Sequence, residues 1–470
     1  MAVEKPNTEY TMMAERWKRC RDTASGQDAV HNAGAIYLPA LKDQPLPDYQ
    51  AYVKRTPFFN ATYRTISGLV GMLFRKPPAV EVPAAIQEYM DDVTMSGIPL
   101  HVLAQQVAYE CLDVGRVGLL VDYPQSAEQP VTVAQAQSQG LRPTIQVYKA
   151  ETIINWRSAR VNNATTLVLV VLKESETILK DEFTETSEDR WRVLDLSGGG
   201  YRARVFRREK DQDVLLSETF PQMNGKPLPN IPFVFIGVDD LKPEVDEPPL
   251  IDLVNLNLSH YRTTADLEHG AHFTGLPTPV VSGYTPLTEG EKLYIGSSAA
   301  WVFPAADAKA SYLEFTGQGL GALESILNRK EQQMAILGAR MLEPQRRAVE
   351  SADAASIHRK GEESTLSAIA QTISIGITRA LTWFSEWAGA GDKVEFDLNR
   401  DFYPAPMDAG ALTALVSAWQ SGAISRQVLF DNLQKGEVID IHTTIEDEEA
   451  RIGDAAPALP TQQTQEPPAE

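Results

Sequence analysis

Five cations stand close together in the middle of this 470-residue chain: Arg340, Arg346, Arg347, Arg359 and Lys360. Guanidinium and ammonium groups in such a cluster can meet phosphate oxygens. They are interleaved with Glu343, Glu350, Asp353, Glu362 and Glu363. Two readings therefore stay open, a salt-bridged surface loop or a loop that touches a polyanion transiently without gripping it. Other candidates are weaker. Gly317, Gly319 and Gly321 precede a helix but have neither a following lysine nor phosphate-loop spacing. His269 and His272 can share a helix face beside Glu268, yet the remaining histidines are scattered and a metal needs more ligands. Asp239, Asp240, Glu244, Asp246 and Glu247 lack the alternation of a calcium loop and read as a solvated hinge. Glu446–Glu449 read as an exposed helix face or a partner-binding tail rather than a metal site. The chain contains no H-E-x-x-H and no G-x-S-x-G. Neither catalysis nor a metal nor any cofactor is expected.

The elements around the cation cluster have a distinctive order. PLIDLVNLNLSHYRTTADLEHGAHF follows two prolines, Pro248 and Pro249, and places Val254, Leu258, Tyr261 and Ala265 on one helix face. A Pro- and Gly-bearing stretch with short β-like runs follows, from Thr274 to about Thr316. A second helix over about Leu320–Leu342 carries Leu323, Ile326, Leu327, Met334, Leu337 and Met341. EPQRRAVESADAA has no apolar period. A helix from about Ser356 to Ala388 is striped by Leu366, Ile369, Ile373, Ile377, Ala380, Phe384 and Trp387.

Length predicts two to four domains, and 43% apolar residues are enough for real cores. A net charge of −20 argues against electrostatic wrapping of nucleic acid. Cys20 and Cys111 are too few and too far apart for a disulfide framework and read as free thiols. No run of about 18 apolar residues is present, and the N-terminal residues lack a signal-peptide pattern, so a cytosolic place of synthesis is expected.

Before the central segment the chain reads as helical, then strand-rich. Helices are expected over residues 8–23, from Pro47 to Arg75 and Lys76 before Pro77 and Pro78 with a break at Pro57, over 84–95 and over Leu100–Asp113. Gly68 and Gly71 cost the second of these about 1 kcal/mol each, which points to close packing on two sides. VGLLVDYP, TIQVYK, TTLVLVVLK, RWRVLDL, YRARVFRR, DVLLSETF and PFVFIG read as strands. After the long helix, KVEFDLNRDFYP reads as a strand or two. Helices at Met407–Gln420 and Ser425–Lys435 and a last acidic helix from Thr443 or Thr444 follow. The fold class is α+β.

Four passages, YVKRTPFFNATYRTISGLVGMLFRKPP, PPLIDLVNLNLSHYRTTADLEHGAHF, LGARML and SAWQSGAISRQVLFDNLQKGEVI, resemble the portal (head–tail connector) proteins of tailed bacteriophages. They span about residues 52–439; their order and the helix layout carry the likeness. The resemblance implies a portal fold: a wing over 1–248 and 356–405, stem helices at 249–273 and 318–342, a clip at 274–317, a tunnel loop at 343–355, a helical crown at 406–453 and a disordered tail at 454–470. It also implies a ring, usually of twelve subunits, at one capsid vertex, through which the genome is packaged by terminase, retained and ejected. The implied partners are further copies of the chain, the major capsid protein, the terminase large subunit, a head–tail adaptor protein and the double-stranded DNA in the channel, with no membrane. The implied location is the virion, and the host cytoplasm during assembly. Arg340, Arg346, Arg347, Arg359 and Lys360 become the tunnel-loop set, with Arg346 and Arg347 nearest the DNA.

The physics agrees with such a role. A 25-residue helix is about 37 Å long, enough for a channel wall, and a ring needs head-to-tail contacts that close. Twelve chains of charge −20 make a strongly acidic body that lets DNA slide. Two alternatives are a particle-associated hydrolase or nuclease, for which clustered carboxylates or histidines are missing, and a non-ring structural adaptor.

Overall fold

A computed structural model describes residues 2–124, 140–161, 163–197, 200–223, 225–275, 278–283, 307, 309–313, 319–341, 364–400, 402, 407, 409–436, 438–439 and 443–455. The chain divides into two compact units, Met1–Phe74 with Pro78–Leu398, and Arg75–Pro77 with Asn399–Glu470.

The larger unit begins with helices α1 (Thr8–Ser25), α2 (Gln27–Ala33), α3 (Leu46–Arg55), α4 (Ala61–Leu73) and α5 (Leu100–Val114). Asn7 caps α1 by accepting from Glu9 N at 2.9 Å, and Gly26, at φ 97°, ends it. The break expected at Pro57 lies between α3 and α4, where Asn60 caps α4 through Tyr63 N. The close packing expected at Gly68 and Gly71 is not found. Both glycines are exposed with open space where a Cβ would stand, and α4 buries one side, through Ile66, Leu69 and Leu73. The segment expected as a helix over 84–95 is a 3-10 helix at Ala84–Asp91. Beyond it the Asp92 carboxylate accepts from Thr94 N, Gly97 N and Ile98 N and folds the chain into a turn.

Ten strands belong to three of the sheets. β1 (Ala79–Glu81) pairs with β14 (Glu395–Asp397). β2 (Arg116–Asp122) lies between β3 (Thr144–Lys149) and β11 (Phe233–Gly237), antiparallel to both. β4 (Ile153–Val161), β5 (Ala164–Leu179), β6 (Glu185–Ser197), β7 (Gly200–Glu209) and β8 (Gln212–Thr219) form a five-stranded meander. β9 (Gln222–Met223) pairs with β10 (Lys226–Pro227), and β12 (Thr278–Ser282) with β13 (Lys309–Leu313). β4 was not expected from the sequence: INWRSARV buries its first half and exposes the rest, so it shows no steady alternation. Trp156, Val170, Leu172, Leu194, Phe233 and Phe235 share one core between the two larger sheets.

Helix α6 (Ile251–Gly275) and helix α7 (Leu320–Arg340) follow, then α8 (Thr365–Trp387). α8 was expected to run from Ser356. Ser364 is instead extended (φ −70°, ψ 160°) and its Oγ accepts from Ser367 N at 3.2 Å, so the helix starts at Thr365; residues 356–363 lie outside the described residues. Leu366, Ile369, Ile373, Ile377, Ala380 and Phe384 are fully buried. Gly376 lets α8 approach β11, since a Cβ there would stand 2.6 Å from Ile236 Cδ1.

The smaller unit contains α9 (Ala409–Gln420), α10 (Arg426–Lys435) and α11 (Ile445–Ala455). Ser425 caps α10 through Val428 N at 3.2 Å, and Thr444 Oγ1 accepts from Asp447 N at 3.1 Å at the start of α11. Among the described residues no helix is long and apolar enough to cross a membrane. Cys20 and Cys111 are both free and buried.

Candidate functional site

The segment that carries Arg340 is an antiparallel hairpin of α6 and α7. Each turn of α6 has a separate task. Val254, Leu258, Tyr261 and Ala265 face the core built by Trp17, Cys20, Tyr37, Tyr52 and Phe58. That is the stripe the helical period predicted. Leu253, off that stripe, is buried as well.

Asn257 is completely buried and uses both ends of its amide. Its Oδ1 accepts from Thr62 N at 3.1 Å and Thr62 Oγ1 at 3.0 Å, and its Nδ2 donates to Phe59 O at 2.7 Å. The side chain thereby satisfies the Thr62 N–H in the first turn of α4, which has no partner within its own helix. No periodicity argument singles out this asparagine. Its signal is only its type, an amide on a face otherwise apolar.

α7 meets α6 through polar contacts at mid-length and close approach near one end. Lys330 Nζ donates to Ser259 O at 2.9 Å and to Thr263 Oγ1 at 2.7 Å. His260 Nε2 lies 3.3 Å from Glu331 Oε1. Burial lowers the affinity of both His260 and Lys330 for a proton relative to their ordinary ranges. Near that end a Cβ on Gly270 would lie 2.7 Å from Leu320 Cδ2; the other end of α7 approaches α4, where a Cβ on Gly338 would lie 3.1 Å from Thr65 Cγ2. His269 stacks edge-on against Tyr52 at 5.3 Å. Among the described residues no group of three or more His, Cys, Asp or Glu is placed to hold a metal ion.

Only one side of α7 is covered. Leu327 and Met334 are its buried side chains, whereas Ile336 is 52% exposed and Ala322, Ser325, Gln332, Gln333 and Ala339 are also exposed. Along α6 and α7 four cations (Arg262, Arg329, Lys330, Arg340) alternate with five carboxylates (Asp252, Asp266, Glu268, Glu324, Glu331). The hairpin therefore has no basic stripe of the kind that grips a phosphate backbone.

Arg340 is exposed on the last turn of α7, where a cation complements the helix dipole. The next residue, Met341, is buried, and its carbonyl accepts from Leu366 N at 3.0 Å. Arg346, Arg347, Arg359 and Lys360 lie outside the described residues, as does the rest of 342–363.

The acidic cluster before α6 is an ordered turn. Asp246 Oδ2 accepts from Val238 N at 2.8 Å and Asp239 N at 3.2 Å, while Glu247 pairs with Arg16 at 3.0 Å. It fixes the path from β11 into α6.

Comparison with known families and structures adds the following. Residues 249–388, which run from the start of α6 to the end of α8, match a family described as a domain of unknown function, DUF4055. No curated protein matches the chain. Among solved structures, a chain of the "Neck of empty GTA particle computed with C6 symmetry" is similar at 11% identity and a TM-score of 0.38, covering 90% of this chain and 98% of that one. A chain of the "Virion of native gene transfer agent (GTA) particle" is similar at 11% identity and a TM-score of 0.37, covering 92% and 99%. A chain of the "Neck of native GTA particle computed with C12 symmetry" is similar at 12% identity and a TM-score of 0.37, covering 86% and 98%.

Proposed function

We propose that this chain is a portal subunit, one of a ring of copies that forms the DNA channel at a capsid vertex of a tailed phage. The observation that carries the reading is the α6–α7 hairpin, held against the helical core by α6 and left uncovered on the outer side of α7. A long helix with one bare side that includes Ile336 and several small or uncharged residues fits against another copy, and repetition by head-to-tail contact closes a ring. The hairpin's mixed charge suits a wall along which DNA must slide, because releasing many counterions would hold it fast.

In this reading residues 274–317 dock terminase and later the head–tail adaptor, and the unit from Asn399 onward includes the crown. Arg346 and Arg347, on the segment that departs from Met341, meet the DNA backbone at the narrowest point. The chain has no catalytic role. The test is assembly of heads with and without it: only heads containing the chain should package DNA and protect it from nuclease. Equal protection in its absence would end the proposal. A non-ring adaptor is the second reading, which the bare side of α7 argues against.

A further inference from the structure

The β5–β6 hairpin outgrows its sheet. β4 pairs with β5 up to Leu172 and β7 pairs with β6 from Arg190 onward, but β5 and β6 continue together in unbroken register to Leu179 opposite Glu185. The arm thus extends about 20 Å as two strands alone, an arrangement of marginal stability without packing. Its tip is nevertheless ordered: Asp181 Oδ1 accepts from Phe183 N and Thr184 N, both at 2.9 Å. That turn holds Phe183 88% exposed, with Leu179 69% exposed beside it. Around them Asp181, Glu182 and Glu185 outnumber Lys180.

A groove of about 930 Å³ lies at the base of the same arm, between β3 and the face of β5–β8. Its lining carries Lys149, Lys173, Arg190 and Arg192 against Glu174 and Glu176, with apolar surface from Val205 and Leu216. Lys173 and Lys149 keep much of their surface in water despite pairing with Asp189 at 2.7 Å and Glu110 at 3.7 Å. The tip is an aromatic anchor in an acidic setting, and the groove offers apolar surface in a cationic one. A continuous two-stranded ribbon separates the two within a single chain, so tip and groove cannot meet there.

We propose that the tip of one copy docks in the groove of the next, an inference that rests on the ring reading above. Phe183 lies against Val205 and Leu216, and the tip carboxylates approach Lys149 and Lys173. The contact joins two different surfaces, as a closed ring requires.

The test mixes copies carrying Phe183→Cys with copies carrying Leu216→Cys under assembly conditions. Cys20 and Cys111 are buried, so background cross-linking is low. A mixed disulfide between the two kinds of copy is expected. Phe183→Glu, at an exposed position, should keep the monomer's Tm and lower the assembled fraction about tenfold or more. Rings that form without the mixed disulfide, and form equally with Phe183→Glu, overturn the docking proposal and leave the ring standing. A natural chain that stays monomeric overturns both.

Discussion

The backbone N–H of Leu366 donates to the carbonyl of Met341 at 3.0 Å. The end of α7 and the start of α8 are thereby fixed side by side, and the 22 residues 342–363 leave and rejoin the fold at one point. Replacing them with a six-residue Gly/Ser linker is predicted to leave thermal stability unchanged or to raise it by about 1 kcal/mol through a shorter loop closure. Thermal denaturation measures this. A loss of several kcal/mol would mean that the segment supports the fold directly.

Arg346 and Arg347 give the functional counterpart. Reversing both to Glu is predicted to leave assembly intact and to impair DNA packaging or retention, because each charge then repels the passing phosphates. Nuclease protection of packaged DNA is the readout, and unchanged protection contradicts the assigned role.

Asn257 links α6 to α4 through three hydrogen bonds. Asn257→Ala strands the buried Thr62 N–H and hydroxyl, a loss of about 1–3 kcal/mol, whereas the Phe59 carbonyl keeps its bond from Ala61 N. Thr62→Ala combined with Asn257→Ala should cost less than the sum of the single changes, since both remove one shared contact. Additive losses in urea denaturation would show that the two side chains act independently.

Asp113 makes stability depend on pH. Burial pushes its carboxyl up to about 6; Arg21 pulls it down, and Glu110 and Glu151 push it up. The native state therefore holds a proton at a pH where the unfolded chain has already lost it. This site's contribution is greatest near pH 4 and is lost as pH rises through 6. Asp113→Asn is predicted to raise stability at pH 8 by at most about 3 kcal/mol, by about half as much at pH 5, and by little below about pH 4. Arg21 retains Glu110 and Glu151 in that variant. A lower midpoint at pH 8 would contradict the assignment.

Arg116 lies 3.9 Å from the ring centre of Trp156 and 4.4 Å from that of Phe235. It is buried, and among the described residues none of its guanidinium nitrogens has a hydrogen-bond partner. Stacking on two rings offsets about 1–2 kcal/mol, less than the cost of burying an unpaired charge. Arg116→Met is therefore predicted to hold Tm or raise it by a few degrees, as calorimetry can determine. A marked fall would reveal a partner for the guanidinium.

Much of this architecture is legible in the sequence where apolar periodicity is strong. The α6 stripe and the fully buried face of α8 follow directly from side-chain spacing, as do most strands of the meander. Periodicity gives no access to devices made by single polar atoms. Ser364 sets the start of α8 with one hydroxyl, Asn257 joins two helices with one amide, and Asp92 turns the chain where the expected helix would have continued. Glycine is ambiguous for a related reason. Gly376 and Gly270 serve close approach, whereas Gly68 and Gly71 face open space in the single chain, and residue type alone does not separate the cases. The cation cluster was legible as composition, but only Arg340 falls among the described residues.

The most direct measurement is imaging and light scattering of the purified chain under assembly conditions. A closed ring with an open channel is predicted; at twelve subunits of 51.8 kDa its mass would be about 620 kDa. A chain that remains monomeric, or forms only open aggregates, under every condition tried would contradict the account.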